Sequence, residues 1–238
     1  MTRLPLLLRL AAAGTALSSC APRAVGPQSA EVERLYDFFS VAAVAIFTVT
    51  AGLILWSLIR YRDKRGDDGP ASQFDANVPL EILWFAIPTV IVAVLFAVSV
   101  RGLNEINEDP PRDSLHVKVQ AFRWGWSFTY PGGVEVASLP DAPAEVVVPT
   151  GRPVTFELSS SDVVHSFSVP RLLLKRDVNP GSVNSLTVAI DEEGTFDAFC
   201  AEFCGLLHDE MDFSIRAVDE ARFEAWLAMQ EGENDGDG

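Results

Sequence analysis

The sequence predicts a membrane-anchored, all-β fold in which two transmembrane helices are followed by a β-sandwich or β-barrel domain. Two observations predict it. Two apolar stretches in the first half of the 238-residue chain are each long enough to cross a bilayer. From about Asn104 onwards the chain changes to short β-type runs separated by Gly, Pro, Asn and Asp.

The first 20 residues, MTRLPLLLRLAAAGTALSSC, have the composition of an export signal. A basic start, a short apolar run and small residues before a cysteine predict a signal peptide over residues 1–19. The run Leu17-Ser18-Ser19-Cys20 also fits the bacterial lipobox, in which the cysteine becomes the lipidated first residue of the mature protein. An ordinary signal sequence is the alternative. If Cys20 is lipidated, it is not a metal ligand.

The two long apolar stretches are Leu35–Ile59 and Leu80–Val100, and together they predict a transmembrane hairpin over residues 20–101. Pro88 in the second stretch is tolerated where neighbouring helices satisfy the freed backbone groups. The connecting loop is positive next to the first span, with Arg60, Arg62, Lys64 and Arg65. Positive loops stay on the cytoplasmic side, so both termini are expected on the periplasmic side of a bacterial inner membrane.

The acidic charge of the chain belongs to its second half. Residues 102–238 contain 9 basic and 25 acidic side chains, whereas residues 1–101 contain 9 and 8. Such a surface repels nucleic acid, which is not expected as a partner, and attracts basic proteins or cations. Charge alone is equally compatible with simple solubility.

The domain predicted over residues 102–230 is all-β. Eight strands are expected, in the runs LHVKVQAF, VEVASLP, AEVVVPT, PVTFELSS, VHSFSVP, SVNSLTVAI, GTFDAFC and MDFSIRAV. The run VDEARFEAWLAMQ places Phe223, Trp226 and Leu227 at helical spacing, which predicts a final helix packed on the domain. Residues 231–238, which lack apolar side chains, are expected to be a disordered acidic tail.

The stretch FCAEFCGLLHDEM places four soft ligands close together: Cys200, Cys204, His208 and Met211. A disulfide between the cysteines suits an exported domain. A structural zinc site needs a second histidine, either His116 or His165, and gives no reason for the methionine. Copper electron-transfer sites use histidine, cysteine thiolate and a weak methionine. A second cysteine one turn away favours a binuclear copper centre over a mononuclear one, although spacing alone leaves all three kinds of site open.

Two motifs resemble a known family. The run Cys200-x-Glu202-x-Cys204-Gly205-x-x-His208-x-x-Met211 and the earlier run Val164-His165-Ser166-Phe167-x-Val169-Pro170 are similar to the CuA motif of subunit II of haem-copper cytochrome c oxidases. Two spans followed by an exported domain are also similar to that family, so the resemblance covers Leu35 to Trp226. It implies that the β domain is a cupredoxin-like Greek-key fold.

The resemblance also implies roles for single residues. Cys200 and Cys204 would bridge two copper ions, with His165 and His208 each binding one of them. Met211 would be the weak ligand of one copper, and the Glu202 carbonyl would be a ligand of the other. The Glu202 side chain would also reach a Mg²⁺ or Mn²⁺ at the boundary with subunit I. His116 matches no ligand position and is expected on a strand face.

Two further positions match the family outside the copper motif. Within AFRWGWSFTY, Trp124 occupies the position of the tryptophan that accepts electrons from cytochrome c, while Trp126 and Phe128 are expected in the core. Arg123 departs from the usual glutamine and is an unusual residue to offer a basic donor. Glu81 matches a carboxylate at the cytoplasmic mouth of a proton pathway into subunit I, although an acid at a helix N-terminus needs no such role.

The function implied by the resemblance is that of a proton-pumping cytochrome c oxidase subunit. It would accept electrons from cytochrome c and relay them to haem held by subunit I, in a complex that also contains subunit III. Three alternatives remain open. A quinol oxidase subunit lacks the copper ligands that are all present here, a nitric oxide reductase subunit has a similar CuA site, and a copper-binding lipoprotein has no use for Glu81 or Trp124.

Overall fold

The computed structural model describes residues 23–62, 73 and 75–236. These residues form two compact units. The first contains Arg34–Leu103, and the second contains residues 23–33 together with the chain from Asn104 onwards. The predicted signal peptide and Cys20 lie outside the described residues.

The first unit consists of long apolar helices. Helix α1 is Pro27–Arg60 and helix α2 is Val78–Ile106, and each is long and apolar enough to cross a membrane. Both predicted spans lie inside these helices. Helix α2 begins with a cap, since Asn77 Oδ1 accepts a hydrogen bond from the Leu80 N–H and Glu81 Oε1 accepts one from the Asn77 N–H. This exchange satisfies backbone donors that the first turn of a helix leaves free.

The second unit is a β-sandwich of two five-stranded sheets. The first sheet has the order β3-β2-β1-β5-β8 and the second β4-β10-β9-β6-β7. The strands are β1 (Leu115–Phe122), β2 (Gly125–Thr129), β3 (Glu135–Ser138), β4 (Glu145–Pro149), β5 (Val154–Ser160), β6 (His165–Val169), β7 (Leu174–Val178), β8 (Asn184–Val188), β9 (Gly194–Cys200) and β10 (Asp212–Val218). Neighbouring strands are antiparallel except for two parallel pairs, β1 with β5 and β4 with β10.

Eight of these strands coincide with the runs predicted from the sequence, whereas β2 and β7 were not predicted. Strand β2 starts at a glycine, and glycine is depleted in strands. Strand β7 carries Lys175, Arg176 and Asp177 at an edge of its sheet, where charged side chains are tolerated because one side of the strand faces solvent.

The C-terminal helix differs from its predicted end. Helix α3 is Glu220–Gly236, so it continues past residue 230, where a disordered tail was expected. The extra residues contain no proline, and adding residues to an existing helix is much easier than starting one. Its packing is as predicted, with Phe223 buried and the Trp226 ring 5.1 Å from that of Tyr130.

The N-terminal segment, residues 23–29, packs on the β domain and not with the hairpin to which the sequence analysis assigned it. Val25 is 2% exposed and belongs to the core of the sandwich. Its carbonyl accepts a hydrogen bond from the Asp191 N–H at 2.8 Å, and Gln28 Oε1 accepts one from the Ala189 N–H at 3.1 Å. Hydropathy does not reveal this contact, because Val25 is the one large apolar residue in a short segment.

The second sheet brings distant parts of the sequence to one end of the sandwich. Strand β9 lies between β6 and β10, with Phe167 opposite Cys200 and Phe199 opposite Asp212. The end of β9, the start of β6 and the start of β10 therefore meet at the same edge. Aromatic side chains fill the interior beneath them, including Trp126, Phe156 and Phe167, each fully buried.

Candidate metal centre

The soft ligands predicted from the sequence meet at this end of the sandwich. Residues 201–211 form the loop from β9 to β10, and His165 is the first residue of β6. We call the six residues that converge here the six-donor cluster: His165, Cys200, Glu202, Cys204, His208 and Met211. Its two thiols and the His165 imidazole are buried, and their donor atoms lie within 4.8 Å of one another.

The donor atoms of the six-donor cluster surround the two sulfurs. The Sγ atoms of Cys200 and Cys204 are 4.0 Å apart. Near Cys200 lie His165 Nδ1 at 3.8 Å and the Glu202 carbonyl oxygen at 3.2 Å. Near Cys204 lie His208 Nδ1 at 3.6 Å and Met211 Sδ at 3.3 Å. Each sulfur thus has one imidazole and one weaker donor beside it.

This arrangement fits metal ions better than a disulfide. A disulfide bond needs sulfurs about 2.05 Å apart, and both cysteines are free. Metal–thiolate bonds are about 2.3 Å for zinc, so one ion can touch both sulfurs at their observed separation. A structural zinc site takes about four ligands, which leaves the carbonyl and the thioether unused. A donor set of thiolate, imidazole and thioether is the kind that copper takes in electron-transfer proteins.

The two thiols have different acidities. Burial disfavours the thiolate of Cys200, but hydrogen bonds from His165 and from backbone groups lower its pKa to about 7. Burial and the negative charge of Cys200 raise the pKa of the Cys204 thiol. Because thiolates bind metals, loading the cluster displaces a proton from the site.

A carboxylate holds the first histidine in place. His165 is fully buried, and its Nε2–H donates to Asp162 Oδ1 at 2.9 Å. Partial burial disfavours the charged carboxylate, yet hydrogen bonds from His165 and from the N–H groups of Val163 and Arg123 lower the pKa of Asp162 to about 2. The other imidazole nitrogen, Nδ1, is the one that faces Cys200. Such a hydrogen bond fixes the tautomer and the orientation of a ligand histidine.

Two tryptophans border the cluster in different ways. Trp126 is fully buried in the core, and its Nε1–H donates to the Met211 carbonyl oxygen at 3.2 Å. Trp124 is partly buried, and its indole lies against Gly205, the residue after Cys204. A Cβ added to Gly205 would be 3.1 Å from the nearest indole atom, so the glycine permits this close approach.

Comparison with known proteins identifies the family. The family model for the periplasmic domain of cytochrome c oxidase subunit II matches residues 137–218, and the model for its transmembrane domain matches residues 15–101. A probable cytochrome c oxidase subunit 2 of Rickettsia bellii is 31% identical over 86% of this chain and 81% of its own length. The chain belongs to the cytochrome c oxidase subunit II family. A Streptomyces coelicolor relative with the same name is 32% identical, over 84% of this chain and 76% of its own.

Solved structures include one of the same domain of subunit II. The crystal structure of the periplasmic domain of subunit II from Bradyrhizobium japonicum is 29% identical, covers 52% of this chain and 99% of its own, and has a TM-score of 0.49. Membership of the subunit II family, with its transmembrane domain and the two apolar helices, makes this chain a membrane-anchored cytochrome c oxidase subunit. The β-sandwich is consistent with the cupredoxin-like fold expected from the resemblance.

The predicted residues outside the cluster lie in varied surroundings. The side chain of Glu202 is exposed, while its carbonyl faces the thiols. Glu81 caps helix α2 of the subunit II membrane hairpin, which is the plain role that the sequence analysis also allowed. His116 lies on a strand face, as expected, and its Nδ1 is 3.0 Å from Glu157 Oε1.

Three contacts of this subunit II site were not anticipated from the sequence. These are the hydrogen bond from His165 to Asp162, the bond from Trp126 to the Met211 carbonyl and the packing of Trp124 on Gly205. The spacing Asp-x-x-His is a local signal that could have suggested the first. The other two join residues that are 85 and about 80 positions apart, so only the folded structure reveals them.

Proposed function

We propose that this chain is the electron-accepting subunit of a proton-pumping cytochrome c oxidase, with a binuclear CuA centre at the six-donor cluster. The observation that carries the proposal is the pairing of donors, in which each of two neighbouring thiols has its own imidazole and one weaker ligand. Cys200, Cys204 and the two imidazoles would hold two copper ions, which would supply one-electron transfer chemistry when bound.

The residues of this chain prepare that site for electron transfer. Two of the six donors, His165 and Cys200, lie at the ends of strands that the core fixes, and the other four lie on the loop that joins β9 to β10. Anchoring at both ends of this loop limits the movement needed when the charge of the centre changes. Burial of Cys200, Cys204 and His165 keeps water away from the centre. Asp162 holds His165 with Nδ1 directed inward.

Trp124 is the proposed point at which electrons arrive from cytochrome c. Its indole contacts Gly205, and Gly205 is bonded to the ligand Cys204. This gives a short path from a partly exposed aromatic ring to a thiolate. The contact that supports this path, between Trp124 and Gly205, lies entirely within the β domain of this chain.

Other proposed roles follow from the family. Electrons would pass to haem in subunit I, in a complex that also holds subunit III, and the exposed Glu202 side chain would help bind a Mg²⁺ or Mn²⁺ at the subunit I boundary. Glu81 would stand at the mouth of a proton pathway as well as capping its helix. Both termini would lie on the periplasmic side, with Cys20 as the lipidated residue.

The experiment that tests the function is copper loading of the full chain in detergent, followed by metal analysis and electron paramagnetic resonance. We expect two copper ions per chain and a mixed-valence signal from one electron shared by both. Cys204→Ser removes a bridging thiolate, so it should abolish the shared signal. His116→Gln is the matched control, because His116 is a histidine outside the cluster, and it should retain the signal. A zinc-only product or a single copper ion would disprove the proposal.

A further inference from the structure

Asp162 joins the copper-binding histidine to a surface arginine. Its Oδ1 accepts hydrogen bonds from His165 Nε2 at 2.9 Å, from the Val163 N–H at 2.7 Å and, more weakly, from Ser160 Oγ at 3.4 Å. Its Oδ2 accepts bonds from the Arg123 N–H at 2.8 Å and from Arg123 Nε at 3.3 Å. A line of charged and polar groups therefore runs from the protein surface to a metal ligand.

Exposure of the side chains falls in steps along this line. It is 50% for Arg123, 23% for Asp162 and 0% for His165. Electrostatic interactions strengthen as water is excluded, so the carboxylate acts strongly on the buried imidazole. The guanidinium is more screened, but it lies next to the carboxylate and opposes its charge.

These two charges act on the copper pair in opposite directions. A negative carboxylate hydrogen-bonded to a ligand imidazole makes that ligand a better electron donor and favours the oxidised, more positive state of the metal. It therefore lowers the reduction potential. A positive guanidinium beside the carboxylate offsets part of its negative charge and therefore raises the reduction potential.

We propose that the ion pair between Arg123 and Asp162 sets the reduction potential of the copper pair through His165, with both residues acting as positioning residues. The inference rests on the copper site of the proposed function. It assigns a role to the position at which this chain departs from the glutamine usual in the family. Arg123 thus adjusts the reduction potential of the copper pair from the protein surface. This role explains a positive charge on a surface that is expected to bind a basic donor.

The test measures the reduction potential of the copper-loaded full chain and of its variants by redox titration of the mixed-valence signal. Arg123→Gln should lower the potential and Asp162→Asn should raise it. A tenfold change in the one-electron equilibrium constant corresponds to about 59 mV, and we expect shifts up to roughly that size. The double variant should lie between the two single variants, because the residues act through each other.

Two controls separate tuning from a general structural effect. Arg123→Lys keeps the positive charge and should retain most of the wild-type potential. Arg152→Gln removes an arginine of similar exposure that pairs with Glu220 at 2.8 Å, at the far end of β5 from Asp162. It should leave the potential unchanged.

The outcomes are distinguishable from failure of the proposed function. If the wild-type chain gives no mixed-valence signal, the proposed function itself fails. If that signal is present but both single variants shift the potential in the same direction, or Arg152→Gln shifts it as much as Arg123→Gln, the inference is wrong. Loss of the mixed-valence signal in Arg123→Gln with an unchanged thermal midpoint would also overturn the inference. The arginine would then be needed for copper binding and would not act on the reduction potential.

Discussion

A single glycine controls how closely Trp124 approaches the loop that carries the proposed copper ligands. Gly205 has φ of +126°, a conformation that favours glycine, and an added Cβ would lie 3.1–3.4 Å from three atoms of the indole. Contacts this short require the ring to move by a few tenths of an ångström. The position of the indole and the identity of residue 205 are therefore linked.

We predict that Gly205→Ala slows electron acceptance from cytochrome c because it displaces the indole from the ligand loop. Trp124→Ala should have the larger effect, about tenfold or more, the scale expected when a positioned group is lost. The measurement is the rate of cytochrome c oxidation by the copper-loaded complex under rapid mixing. The copper spectrum should keep its mixed-valence form in both variants.

Gly181→Ala provides the matched control. Gly181 also has positive φ, +76°, but no atom lies within 4 Å of an added Cβ. An alanine at a positive φ is thus introduced without contact to the indole, and the oxidation rate should stay at the wild-type value. A normal rate in Trp124→Ala would show that electrons arrive by another route.

Single residues differ in how far the sequence reveals them. The thiols, imidazoles and thioether of the six-donor cluster were predicted because their chemistry is rare and their spacing is local, apart from His165, which required the family motif. Asp162 was not predicted, because an aspartate in a polar loop has no distinctive chemistry until its partner is known. Its importance comes from a distance of 2.9 Å to His165, which the linear sequence does not state.

At the scale of elements, the N-terminal segment is the least expected part of the domain. Gly26 permits it to lie against the residues that follow β8, since a Cβ there would be only 1.8 Å from the carbonyl oxygen of Ala189. The segment begins beside Arg171, whose guanidinium donates to the Arg23 carbonyl. A short stretch that includes the first residues of helix α1 thereby becomes part of the sandwich.

We predict that Gly26→Ala destabilises the β domain by detaching this segment. The added methyl group overlaps backbone atoms that cannot move aside, so Val25 should leave the core. Losing the burial of a valine costs about 1.5–3 kcal/mol. The thermal midpoint, followed by tryptophan fluorescence of the full chain in detergent, should fall, and trypsin should cut more readily after Arg23.

Gly232→Ala is the control for this change, because it adds the same methyl group in helix α3 where nothing lies within 4 Å. It should leave the midpoint unchanged or raise it slightly, since alanine favours helices more than glycine does. An unaltered midpoint and unaltered cleavage in Gly26→Ala would mean that the segment contributes nothing to the stability of the domain.

Elements whose apolar and polar residues repeat regularly could be predicted from the sequence. Elements that form only because of tertiary contacts could not. Strand β1 alternates buried and exposed residues, and its predicted ends match the structure. Strand β7 has three consecutive charged residues and exists because β6 pairs with it along its whole length. The N-terminal segment has no pattern of its own, since a single buried valine and one close backbone approach define it.

At the scale of the whole molecule, acidic charge is concentrated in the half of the chain that carries the six-donor cluster. Asp141 and Asp212 are exposed acids at the end of the sandwich that holds Trp126, two residues after Trp124. Asp141 follows β3, whose last residue, Ser138, pairs with Trp126, and Ser138 also donates to the carbonyl oxygen of Asp212. Fields of one sign raise the rate at which an oppositely charged partner arrives, more than they raise affinity at contact.

We predict that oxidation of a basic cytochrome c slows as salt rises, because screening shortens the reach of these charges from about 30 Å at 0.01 M to about 3 Å at 1 M. Neutralising both acids, in Asp141→Asn with Asp212→Asn, should lower the second-order rate constant at low salt and make no difference at high salt. The control neutralises Asp191 and Glu192, which changes the net charge by the same amount. Both are exposed and lie just before β9, at the opposite end of that strand from Cys200. If the control pair slows the reaction as much as the first pair, net charge alone guides the donor; if only the first pair does, the donor is guided to the end of the sandwich where Trp124 lies.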